Sequence, residues 1–359
     1  MANGELWRMG DMFQLSVELY DTKDKKVVWS DRWQEKWDNL PTIKGSLSDG
    51  LLKALDTKPK VEQKVYSTNP EAYEFYLKAK HKYDKRENTD DTEIARELLH
   101  KAIELDNNFI GAKVLLGTTH MQMGDYDKAM EIYTSALKQA KEICDKQGIG
   151  ISLNNIGIVY SDKSDYDKSL DYYDRSLAIC EEIGDKKGIG DNLNNIGVVY
   201  AKKGDYDKAL DNFERSFKIK DELGDKYGMV SSLHDIGVEH YDKGDYDKAL
   251  KYLEKSLNIQ KEFGLKEIEL ETTAYLYLNY KHLGKDYDEK AIHSLIKDAE
   301  NIEFELNLRL YELLEDKSYL ETAYNQIQEK ASAMDDKFKA KFLSYPIPKA
   351  IVEEWDKVK

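Results

Sequence analysis

Four copies of one short motif constrain this chain more than any other feature: GDYDKAM from Gly124, SDYDKSL from Ser164, and GDYDKAL from Gly204 and again from Gly244. Their tyrosines, Tyr126, Tyr166, Tyr206 and Tyr246, stand 40 residues apart each time. A strict period of this size marks stacked repeats, in which each unit buries its apolar face against its neighbours. Around the second copy, Leu153, Ile156, Gly157 and Tyr160 precede the motif, and Ser169, Tyr173, Ser176 and Leu177 follow it, at intervals of three and four. Each unit is therefore predicted to be two helices joined by a turn at GDYD.

The residue order within a unit, here Leu193, Ile196-Gly197, Tyr200, Ala209, Phe213 and Ser216, resembles the tetratricopeptide repeat. That repeat commonly has a period of about 34 residues. An earlier unit keeps it between Ala95 and Ala129, and the later ones are longer in the segments EEIGDKKGIG and DELGDKYGMV. The longer form is similar to the 40-residue repeats of eukaryotic polarity adaptors and many bacterial signalling proteins. The resemblance implies a right-handed superhelix of helix pairs whose first helices line a concave groove.

Upstream the period changes to two. Phe13, Leu15, Val17 and Leu19 alternate with polar residues, a DTKDKK turn follows, and Val27, Trp29 and Trp33 alternate again, which predicts a hairpin, with Glu5 to Met9 as a third strand. Pro41 suits the first turn of a helix striped by Ile43, Leu47, Leu51, Ala54 and Leu55. The expected fold class is mainly α, a solenoid preceded by a small β-hairpin/α element. Its expected parts are a partial α/β domain over 1–56, a linker over 57–70, the repeat array over 71–302 and a C-terminal helical cap over 303–359. Within the array the fifth repeat loses phase at Lys285; within the cap, Leu306, Leu310 and Leu313, then Leu320, Tyr324 and Ile327, mark two helices, and Pro346 and Pro348 open a last one.

The first 80 residues or so resemble the end of the small TolB-like α/β domain that, in bacterial class III adenylate/guanylate cyclases, lies between the cyclase and a tetratricopeptide array. The resemblance implies the regulatory C-terminal part of a cyclase-type signalling protein. A DNA-binding regulator of the same layout is a further alternative.

Charge and chemistry narrow the function. Lys and Arg number 54 against 69 Asp and Glu, a formal net charge of −15, so the chain lacks the basic face that nucleic acid or an anionic membrane would need. The sequence shows no membrane-spanning apolar run and no signal peptide, which makes the cytoplasm the expected compartment. Cys144 and Cys180 are expected to stay unpaired, and the seven histidines fall at no metal-ligand spacing. The glycines of GIGISLNNIG and GIGDNLNNIG follow a helix instead of a strand, so they are read as interhelical turns and not a nucleotide loop. DKSDYDKSLDYYD lacks the ligand order of a calcium loop. No catalytic residue, cofactor or metal is therefore expected, and the function is read as a non-catalytic scaffold for a protein or peptide partner, its oligomeric state left open.

The candidate groove residues stand three and two positions before the repeat glycines: Asn154 and Asn155, Asn194 and Asn195, His234 and Asp235. Asparagine is a mediocre helix former, so its recurrence inside two helices calls for a reason. Two stay open, a hydrogen-bond ladder between repeats or a peptide-binding row. Family resemblance excludes one ligand class: repeats that grip a chaperone's terminal carboxylate present Lys or Arg where this chain has Ile151, Asp191 and Ser231, and Asn where it has Ile158, Val198 and Val238.

Overall fold

The computed structural model describes residues 2–9, 12–21, 26–36, 69–86, 88–266, 268–299 and 301–359. Strands β1 (Ala2–Met9), β2 (Met12–Asp21) and β3 (Lys26–Lys36) form one antiparallel sheet in the order β1-β2-β3. Leu15 of β2 pairs with Leu6 on one side and Trp33 on the other, and the β2–β3 register shifts between Leu19 and Tyr20. This corrects the expected β-hairpin/α element. The correction is one of extent: the three expected strands are present, but β1 starts at Ala2 and not at Glu5 and pairs along its full length with β2, and β3 runs on to Lys36. The helix expected after Pro41, and the linker up to Thr68, lie outside the described residues.

Beyond Asn69 every described element is a helix, in two compact units, 1–159 with 182–184, and 160–181 with 185–359. The first unit contains α1 (Pro70–Asp84), α2 (Thr89–Leu105), α3 (Ile110–Gln122), α4 (Tyr126–Glu142) and most of α5 (Lys146–Asp162). Pro70 suits the first turn of α1, where its missing N–H costs nothing, and the Asn69 side chain caps Glu71 and Ala72. Tyr73, Leu99, Phe109 and Leu116 form the core of α1 to α3, with the rings of Tyr76 and Phe109 4.8 Å apart.

The second unit contains most of α6 (Tyr166–Ile183), then α7 (Lys186–Lys203), α8 (Tyr206–Leu223), α9 (Lys226–Asp242), α10 (Tyr246–Phe263), α11 (Glu269–His282) and α12 (Glu289–Asp298). It ends with α13 (Phe304–Leu314), α14 (Lys317–Ser332), α15 (Asp336–Leu343) and α16 (Pro346–Val358). In two repeats the second helix is clamped to the first by a serine. Ser216 Oγ donates to the Gly190 carbonyl at 2.8 Å, and Ser256 Oγ to the Val230 carbonyl at 2.9 Å.

The extra residues of the long repeat are built mainly as helix. Helices α7 and α9 start at Lys186 and Lys226, capped by Asp185 and Asp225, which accept from the Gly188 and Gly228 N–H groups. Those glycines, and Gly148, therefore sit in the first turn of a helix and not in the interhelical link. The link itself uses a left-handed residue: Gly224 at φ 68° and Gly264 at φ 67°, but Cys144 at φ 55°. In the fifth repeat the phase break at Lys285 delays α12 to Glu289 and shortens it to 10 residues.

The tail has four helices, one more than the apolar pattern predicts. It reaches back along the second unit. Arg309 of α13 binds Asp242 of α9 at 2.7 Å, Lys341 of α15 binds Asp167 of α6 at 2.7 Å, and the Tyr345 ring lies 4.6 Å from that of Tyr166.

Candidate binding face

The first unit places Asn154 and Asn155 half-buried on α5, where the Asn155 amide donates to the Ile151 carbonyl one turn back, at 2.8 Å.

In the second unit the candidate residues divide by role. Asn194, 8% exposed, donates to Asp235 Oδ2 at 3.1 Å and accepts from Ser232 Oγ at 3.0 Å and Lys220 Nζ at 3.5 Å. His234, also buried, has Nδ1 3.0 Å from Thr272 Oγ1. That hydroxyl already donates to the Ile268 carbonyl, so the network assigns the imidazole proton to Nδ1. Burial holds the imidazole down at about 4, so it is neutral at pH 7. These two side chains thus join α7 to α9 and α9 to α11, the ladder arrangement. Asn195 and Asp235 stay half-buried, and the Asn195 amide makes no hydrogen bond to the described residues.

Sequence reasoning named Asp191 and Asp235 but missed Glu239 and Glu271. The Asp191 side chain is 46% exposed and that of Glu271 45%. Burial raises Asp235 to about 6, against the opposing Asn194 bond and Lys220. Burial and the like charges of Asp235, Glu305 and Glu303 raise Glu271 to about 7. Glu239 is 3% exposed and its Oε2 has no hydrogen-bond partner; burial, then Asp242 and Asp235, push it up to about 9 against Lys243. The signal was in the repeat, since one and two periods earlier the position is Val199 and Val159, both fully buried. Arg309 gave no such signal, because its partner Asp242 is 67 residues away.

Among the described residues no group of three or more His, Cys, Asp or Glu is placed to hold a metal ion, and no helix is long and apolar enough to cross a membrane. Cys144 and Cys180 are both free thiols, the first exposed and the second buried.

No curated protein sequence matches the chain. Among solved structures, a Rap protein complexed with competence and sporulation factor aligns over 87% of this chain and 81% of its own, at 14% identity and a TM-score of 0.54. The apo form of RapI aligns over 80% and 99%, at 16% identity and a TM-score of 0.53. A signal transduction ATPase with numerous domains and a tetratricopeptide repeat sensor, from Pyrococcus horikoshii, aligns over 79% of this chain, at 18% identity and a TM-score of 0.52, but this chain spans only 42% of it. At these identities the likeness is one of fold. The family description "Tetratricopeptide repeat" matches residues 110–182 and 189–262, so the paired helices found there are tetratricopeptide repeats within a mainly helical chain.

Proposed function

We propose that the chain is a non-catalytic protein-interaction scaffold that holds a peptide or partner helix on the first helices of its repeats. The observation that carries this is Asn195, a half-buried amide with no hydrogen bond to the described residues, beside Asn194 and His234, whose polar atoms join the repeats. An amide both donates and accepts, which suits capture of a peptide backbone with little regard to its sequence. The likeness in fold to a Rap protein solved with a bound factor supports the same reading. Asp235 of the same unit is proposed to act with Asn195, and Asn154 and Asn155 are proposed to contact a polypeptide separately on the first unit.

The test is binding of the full chain to a fluorescein-labelled library of capped hexapeptides, read by fluorescence polarisation. One lost amide contact is worth about 0.5–1.5 kcal/mol, so Asn195→Ala weakens the best binder roughly two- to thirteen-fold without changing helicity or melting. A variant that melts earlier yet keeps its peptide would assign Asn195 to the ladder as well.

A second reading, the regulatory part of a cyclase-type signalling protein, is favoured by the resemblance of the first 80 residues to the TolB-like domain of cyclases and by the sheet that precedes the helices. Under that reading the chain, fused behind a cyclase domain, alters nucleotide turnover when peptide binds; unchanged turnover would count against it.

A further inference from the structure

We propose that the turn surface of the second unit, Ser164 to Asp167 with Gly204, is a docking site for a polypeptide that carries a lysine four residues ahead of a Tyr-Pro pair, and that the chain's own tail, through Lys341, Tyr345 and Pro346, fills it as an exchangeable internal ligand. The surface is separate from the Asn195 row. It adds a second, self-regulated site to the scaffold and does not depend on peptide capture by the amides.

Three observations carry it. The first is the fit. Lys341, in the last turn of α15, reaches Asp167 at 2.7 Å, and the Tyr345 ring lies 4.6 Å from that of Tyr166. Pro346, the first residue of α16, closes on Gly204, where a Cβ would stand 2.8 Å from the Pro346 Cγ. Gly204 holds φ at 80°, so one glycine both makes the turn and leaves room for the proline.

The second observation is that the covering is confined to this place. Ser164, Asp165 and Tyr166 are buried, whereas Gly124, Asp125 and Gly244 of the equivalent turns are exposed, and Tyr126, Tyr206 and Tyr246 are half-buried. A Cβ added to Gly124 or Gly244 would meet nothing within 4 Å. Asp167 accepts from both Lys203 and Lys341, while Asp207, one repeat later, accepts from Lys243. The Lys203 pair thus belongs to the repeat, and the second lysine is the ligand's.

The third is that the contact is built to exchange. The ion pair is solvent-exposed, with 63% of the Asp167 side chain and 39% of that of Lys341 open to water, and such pairs add little stability. The hydroxyls of Ser164 and Tyr345 are buried, and neither makes a hydrogen bond to the described residues. Each loses its hydration without a replacement bond and regains it when the tail lifts. The tail is anchored elsewhere, since Phe342 packs edge-on to Phe304 of α13 and Trp355 stacks on Tyr324 of α14. It can leave α6 and α7 without coming apart itself.

The test offers a fluorescein-labelled peptide of residues 335–350 to the full chain and reads fluorescence polarisation. In the unmodified chain the tethered tail competes at an effective concentration that free peptide does not reach. Lys341→Glu with Tyr345→Ala sets a like charge against Asp167 and removes the ring, so this variant is expected to bind the peptide about ten-fold more tightly than the unmodified chain. Adding Asp167→Lys to the variant, or replacing the lysine and tyrosine of the peptide by alanine, lowers the affinity about ten-fold again. Circular dichroism checks the fold, and Lys341→Glu alone, at an exposed position, serves in place of a double variant that melts early. A peptide bound equally by both chains, bound by neither, or bound without its lysine and tyrosine overturns the inference. None of these results bears on hexapeptide capture at Asn195.

Discussion

Replacing Glu239 by valine is expected to stabilise the protein, and the effect should grow with pH. The side chain is 3% exposed, its Oε2 lacks a partner, and burial with two neighbouring acids moves its carboxyl from 4.5 to about 9. A carboxyl raised on folding keeps its full stability contribution below about pH 4.5, and loses it as pH climbs toward 9, because over that range the folded state binds more protons than the unfolded one. At about 1.4 kcal/mol per unit, the cost is on the order of 3 kcal/mol at pH 7 and 6 kcal/mol near pH 9. Valine needs no proton, and Val199 and Val159 show that it packs at this position in neighbouring repeats. Urea unfolding of both proteins at pH 6, 7 and 8.5 measures the difference. Hydrogen exchange within 226–282 localises it, a needed control because repeat arrays can unfold in more than one step. The expected result is a Glu239→Val advantage that widens with each pH step. An advantage independent of pH, or none at pH 8.5, would refute the reasoning by showing that Glu239 finds a cation in solution.

Two further substitutions probe the backbone. Gly197→Ala would set a Cβ 2.6 Å from Phe213 Cε1, an overpacking that costs about 1–3 kcal/mol and lowers the melting temperature; an unchanged melt would mean the ring moves freely. Cys144→Gly should raise stability by about 1 kcal/mol, since Cys144 holds φ at 55° where glycine serves other repeats. In the unmodified protein a thiol reagent should label the exposed Cys144 at once and reach Cys180 only on unfolding, because Cys180 is buried and its thiol is pushed up to about 11; equal rates would contradict both placements.

What the sequence reveals here is what recurs every 40 residues. The helix starts at Tyr126, Tyr166, Tyr206 and Tyr246 coincide with the motif that announced them, since cap, turn and first helical residue are local events. Partners across repeats are another matter. Whether Asn194 faces Asp235 or solvent depends on how one helix pair sits on the next, a geometry no single repeat encodes, so the asparagines could be singled out but not assigned. The fold-back of Arg309 and Lys341 was less legible still, because the tail carries no repeat against which an unusual residue would show. Glu239 is the exception in the other direction: the period itself marks it as an acid at a valine's position.

The contact of Lys341 with Asp167, 174 residues apart, changes how the second unit comes apart. A repeat stack held only by nearest-neighbour interfaces can fray from an end one helix pair at a time. Here the last helices are laid against the first, through an ion pair and the Tyr166–Tyr345 ring contact, so releasing an end breaks contacts at both ends together. The open spring has become a clasped one. It must form slowly, since its closing contacts span most of the unit, and once closed it loses its terminal pairs less readily than an unclasped array.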